Sequence, residues 1–106
     1  MLRLFILVLF MSWGARTAAQ ETKIAITVRD QQFVPAEVAV PAGTKAELVI
    51  HNDQTMPAEF ESTALHREKV VPPGSSVSVF VGPLDPGRYE FFDDFNQSSR
   101  GFVVVK

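Results

Sequence analysis

Apolar and polar residues alternate one by one through most of the chain after Lys23, and this period of two dictates strands rather than helices. "KIAITVRD" (23–30) places Ile24, Ile26 and Val28 on one face. "EVAV" (37–40) and "AELVIHN" (46–52) follow, separated by the Pro-Gly turn "PAGT" (41–44). "SVSVFVG" (76–82) aligns Val77, Val79 and Val81, and "RYEFF" (88–92) and "GFVVV" (101–105) close the chain, joined by a loop over 93–100. The turn signals "PAG", "PPG" and "DPG" each stand before a strand. A helical period is confined to one turn near "STALHRE" (62–68). About seven short strands in a single domain predict an all-β, antiparallel Greek-key β-sandwich.

The first residues follow a different rule. Arg3 precedes the uncharged apolar run "LFILVLFMSWG" (4–14), and "ARTAAQE" (15–21) supplies small residues at the spacing of a cleavage site. Residues 1–19 therefore read as a secretory signal, too short and wrongly flanked for a membrane span, and residues 20–106 as the folded domain. After cleavage the chain is not membrane-embedded. Loss of Arg3 and Arg16 from the ten Lys/Arg leaves eight against twelve Asp/Glu, so the formal charge moves from −2 to about −4. An acidic domain of this kind is unsuited to nucleic acid and fits cations or a basic partner. The chain has no cysteine, which removes both disulfide bracing and thiolate chemistry. It also lacks a G-x-S-x-G elbow, a Ser/His/Asp set in recognisable context and a phosphate-cradling glycine loop.

"D-x-x-F-x-P" (30–35), "V-P-A-G" (40–43), "I-H-N-D" (50–53), "P-P-G" (72–74) and "L-D-P-G-R-Y-E-F" (84–91), followed by a glycine-led valine strand, together resemble the cupredoxin family. That resemblance implies a mononuclear copper between a mid-chain loop and the last hairpin. On this hairpin the copper cysteine position falls at Asp93 and the histidine position at Asn96. No methionine follows; Arg100 and Gly101 occupy its neighbourhood. A blue centre needs a thiolate, so this chain cannot form one. Carboxylates in its place favour harder ions, iron or manganese, or an ordinary Cu(II) site. "AEFESTALHREKVVPPG" (58–74), with "YEFFDDF" and "RGFVVV", is more closely similar to the cupredoxin-like proteins of bacterial iron-permease uptake systems. This second resemblance implies a periplasmic role in ferrous or ferric iron uptake with permease components as partners. Iron or copper would be the bound metal, and ferrous-iron oxidation before transport is among the implied activities.

The candidate metal ligands are Glu59, Glu61, Asp93, Asp94, His66 and Met56. Tyr89, Phe91 and Asp93 share one strand face, so Asp93 turns inward at the rim if the aromatics are in the core. A buried carboxylate needs a partner: a metal, Arg67, Arg100, or backbone N–H groups. Asp94 falls on the opposite, solvated side. Glu59 and Glu61 flank Phe60 and share the other face, although the position of the first copper histidine counts to Ala58. The iron-associated resemblance favours Glu59. His66 stands two residues before Glu68, on the same side of an extended strand, and Met56 beside Pro57 reads equally well as loop packing. The competing reading is a sandwich that lost its copper and serves as a non-metallated interaction domain docking to a transporter or periplasmic partner.

Overall fold

Nine strands are present in the computed structural model, which describes residues 22–106; the segment 1–19 read as an export signal lies outside the described residues. They are β1 (Thr22–Arg29), β2 (Gln32–Val34), β3 (Glu37–Val40), β4 (Ala46–Asn52), β5 (Ala58–Ser62), β6 (Arg67–Val71), β7 (Ser76–Val81), β8 (Gly87–Asp93) and β9 (Asn96–Val105). One sheet has the order β2-β1-β4-β7 and the other β3-β9-β8-β5-β6. The β-sandwich expected from alternation is the observed fold. Its sheets are mixed rather than wholly antiparallel, because β1 runs parallel to β4 and β3 parallel to β9. Pairing direction leaves no mark on a strand's own period, which is why the sequence did not show it.

The loop expected over 93–100 is mostly strand. β8 ends at Asp93, Asp94 and Phe95 form the turn, and β9 begins at Asn96. The single helical turn expected near 62–68 is instead the bend of a hairpin: Thr63–His66 reverse the chain, and β6 returns along β5 with Glu61 opposite Glu68. No helix occurs among the described residues, and none there is long and apolar enough to cross a membrane.

Alternation places Ile26, Val28, Leu48, Ile50, Val79, Val81, Phe91 and Val103 between the sheets. Burial of these side chains is the main source of stability in a chain without disulfides. Phe33, Phe60 and Phe91 meet at one end of this core. Phe33 stands edge-on to Phe91 with centroids 4.9 Å apart, and Phe60 lies 5.0 Å from Phe91. The backbone of β9 approaches this cluster closely enough that a Cβ on Gly101 would lie 2.5 Å from the Ala36 carbonyl oxygen and against the Phe91 ring. Gly101→Ala should therefore destabilise the fold by about 1–3 kcal/mol, the cost of overpacking a filled core. A melting temperature unchanged from wild type would show that this end of the core can yield.

Candidate metal centre

The pleat of β5 divides its side chains between two environments. Ala58, Phe60 and Ser62 are buried in the sandwich, and Glu59 and Glu61 project from the outer face of the sheet. Across the ladders Glu61 sits opposite Glu68 on one side and Phe92 on the other. Asp94 follows at the β8–β9 turn, where its N–H donates to the Glu59 carbonyl at 3.0 Å. One carboxylate oxygen from each of Glu59, Glu61 and Asp94 falls within 4.8 Å of the others. Glu68 adds a fourth acid, close enough to share a hydrogen bond with Glu59.

No salt bridge among the described residues compensates the charges of this group. The ion pairs among the described residues are Lys23–Glu47, Arg29–Asp53, Arg88–Glu37 and Arg100–Glu90, and none engages the four acids. Glu59 is 6% exposed, and its Oε1 is buried with no hydrogen-bond donor. The Glu68 hydrogen bond, loss of solvent, and the charges of Glu68, Asp94 and Glu61 push the Glu59 carboxyl up to about 7 from an ordinary 4.5. Glu61 is raised as well, by loss of solvent first and then by the charges of Asp94 and Glu68 and a hydrogen bond with Asp94. Gln97 donates to Asp94 Oδ1 at 3.2 Å, and a cation or bound protons would relieve the repulsion that remains.

The other sequence candidates lie elsewhere or do other work. Asp93 is 2% exposed and faces inward opposite Phe60, on the face predicted from Tyr89 and Phe91. Neither arginine weighed for it is its partner: Arg100 pairs with Glu90, and Arg67 donates to the carbonyls of Phe80 and His66. Its Oδ1 instead accepts the N–H of Glu59 at 2.9 Å and of Phe95 at 3.0 Å. His66 is exposed, with a left-handed φ of 53°, and borders a shallow cleft of about 230 Å³ with Glu61 and Glu68. Met56 belongs to a separate polar cleft with Asp30, Gln31, Asp53 and Gln54. There its sulfur accepts from the Gln31 amide at 3.8 Å, while Asn96 donates to Gln31 at 3.4 Å. The residues at the expected copper end are thus hydrogen-bonded to one another. A larger apolar cleft of about 550 Å³ runs along β3 at the opposite edge of the five-stranded sheet, away from the acids.

Two contributors were not proposed from the sequence. Glu68 could have been found by folding 58–71 as a hairpin about residues 63–66, which puts it across from Glu61. Asn52 is fully buried; its amide nitrogen donates to the carbonyls of Met56 and Val71, and so sets the loop from which β5 departs.

The oxygen-only donor set suits a hard cation and offers nothing to a copper–thiolate centre. Among known structures, the chain is similar to the metal-binding domain of the Streptococcus pneumoniae Cu(I)-exporting P-type ATPase CopA, at 20% identity and a TM-score of 0.70 over 79% of this chain and 84% of that one. It is also similar to a purple cupredoxin from Nitrosopumilus maritimus, at 16% identity and a TM-score of 0.63 over 78% of this chain and 99% of that one. These likenesses concern the fold. An uncharacterized protein of Rickettsia prowazekii is 48% identical over 84 residues, 78% of this chain and 67% of that protein. The iron uptake system component EfeO of Escherichia coli is 28% identical over 109 residues; the match takes in 99% of this chain but only 28% of the length of EfeO. The family model of the cupredoxin-like domain matches residues 2–105. With the sandwich, the last hairpin and nearly the full length in agreement, the chain belongs to the cupredoxin-like domain family.

Proposed function

We propose that the chain is an exported, periplasmic iron-binding protein that takes up the ion on its outer carboxylate cluster and delivers it to a membrane permease. The observation carrying this reading is the buried, donor-less Oε1 of Glu59 within a group of acids that none of the salt bridges among the described residues engages. A carboxylate oxygen shielded from water and left without a donor is unfavourable, and a hard metal ion would satisfy it. Similarity to EfeO favours iron as the cargo. Glu59, Glu61 and Asp94 would hold the ion, with Glu68 beside them. Hard anionic oxygens favour Fe(III) over Fe(II), so the same set would assist oxidation if an acceptor is supplied.

Anaerobic calorimetric titration of the purified protein with Fe(II) should show saturable binding in the micromolar range or tighter. At a free concentration a hundred times Kd, bound metal should stabilise the fold by about 2.7 kcal/mol. That corresponds to a rise in Tm of about 10 °C or more for a domain of this size. Cu(II)-loaded protein should be pale, since the chain has no cysteine thiolate to give an intense visible band. Absence of saturable binding for either ion would favour the interaction-domain reading.

A further inference from the structure

We infer that Asp93, at the position where the family resemblance puts a copper-binding thiolate, is a positioning residue that braces the outer carboxylate cluster from beneath. This inference rests on the cation-binding reading of that cluster. The β5–β8 ladder consists of Phe60 opposite Asp93 and Glu61 opposite Phe92, and there it stops. Glu59 is the next residue on β5, and its N–H would look onto a chain already turning away. Asp93 Oδ1 takes that N–H at 2.9 Å and the N–H of Phe95 at 3.0 Å, so the side chain extends the ladder by one bond and closes the turn.

The carbonyl of Glu59 is held from the same turn, because it accepts the Asp94 N–H at 3.0 Å. Glu59 is therefore gripped at both backbone groups by residues 93 and 94, and Asp94 is flanked by two fixed points. These are two of the three acids that approach within 4.8 Å. Like charges at that separation repel, and side chains free to part would do so. The brace keeps them together before any ion arrives, which reduces the ordering required on binding. Asp93 itself is unsuited to ligation here: it lies on the inward face with Phe60, and the cluster is on the outward face.

The distinguishing variants are Asp93→Asn and Asp93→Ala. Asparagine retains an acceptor oxygen for both N–H groups, and alanine retains none. With Mn(II) as probe, read by loss of the free-ion EPR signal, Asp93→Asn should bind within about threefold of wild type. Asp93→Ala should lose roughly 10–100-fold, as removal of outer-shell partners does. Amide hydrogen exchange of the metal-free protein supplies an independent reading. The Glu59 and Phe95 N–H groups should stay protected in Asp93→Asn and exchange faster in Asp93→Ala, where their acceptor is gone. Should the alanine variant not fold, Asp93→Ser, which can cap the turn but is too short to hold Glu59 as well, takes its place. Equal loss in asparagine and alanine would make the Asp93 carboxylate a ligand and overturn the inference, as would wild-type affinity in the variant lacking the acceptor. If wild type binds no Mn(II) but the Glu59 N–H still loses protection in Asp93→Ala, the brace stands and the cation reading fails.

Discussion

Glu59→Gln is expected to cost the protein at least the roughly 10–100-fold in cation affinity that loss of an outer-shell partner would, and to make the metal-free fold more stable at pH 8. The two effects share one cause. Glu59 is the most buried of the acids within mutual reach, and its Oε1 has no donor in the metal-free state. A glutamine there is neutral, keeps the shape, and can donate to Glu68. It removes the anion that an ion would satisfy and, with it, the repulsion that the metal-free protein carries.

The sign of the pH dependence follows from where the proton sits. The Glu59 carboxyl titrates near 7 in the folded chain, against 4.5 ordinarily. Between those values the folded state holds a proton that the unfolded state has released, so the unfolded state binds fewer protons and stability falls as pH rises. The contribution is fully present below about 4.5 and is lost as pH passes about 7. Glu61, also raised, acts in the same sense. Metal-free wild type should thus melt progressively lower from pH 5 to pH 8, and Glu59→Gln should lose less over the same range. The two should converge near pH 5, and saturating Fe(II) at pH 8 should restore the wild type alone. Parallel pH profiles for the two metal-free proteins, or undiminished affinity in the variant, would show that Glu59 is not the centre of the cluster.

How far these residues could be read beforehand depended on whether their surroundings impose a period. β1, β4, β7 and β8 each lie with one face on the core, so Ile26, Val28, Leu48, Ile50 and Phe91 alternate visibly. The same parity put Asp93 inward and kept Glu59 and Glu61 on one face, opposite Phe60. The pairing of β6 with β5 is not legible because β6 is an edge strand, exposed at Arg67, Glu68, Lys69 and Val70, and so carries no alternation. The polar start of β9, Asn96–Ser99, looked like loop for a similar reason. Missing β6 as the return arm of a hairpin concealed Glu68, and with it the fourth acid. The sequence admits backbone N–H groups as partners of Asp93 without singling them out, because which ones it takes depends on where a ladder ends, which side-chain identity does not encode.

Asn52→Ala is expected to produce the largest loss of stability of any single substitution considered, about 2–4 kcal/mol. The residue is fully buried at the end of β4, and both ends of its amide are occupied. Nδ2 donates to the carbonyls of Met56 at 2.8 Å and Val71 at 3.0 Å, and Oδ1 accepts the N–H and the side-chain amide of Gln54 at 3.1 and 3.2 Å. Alanine leaves the buried Val71 carbonyl without its donor, at about 1–3 kcal/mol, and frees the loop that carries Met56 and Gln54. A small cavity adds to the loss. For a domain whose total stability is of order 5–15 kcal/mol, the expected fall in Tm is about 10–25 °C. Thr55→Ala, in the exposed part of the same loop, should stay within about 0.5 kcal/mol of wild type. Asn52→Asp makes the argument specific: it retains the acceptor for Gln54 but turns a second oxygen toward two carbonyls. It should therefore be at least as damaging as alanine at neutral pH and partly relieved in acid, where the carboxyl gains a proton to donate. A melting temperature for Asn52→Ala within about 3 °C of wild type would mean that the loop leading into β5 is held by something other than this amide.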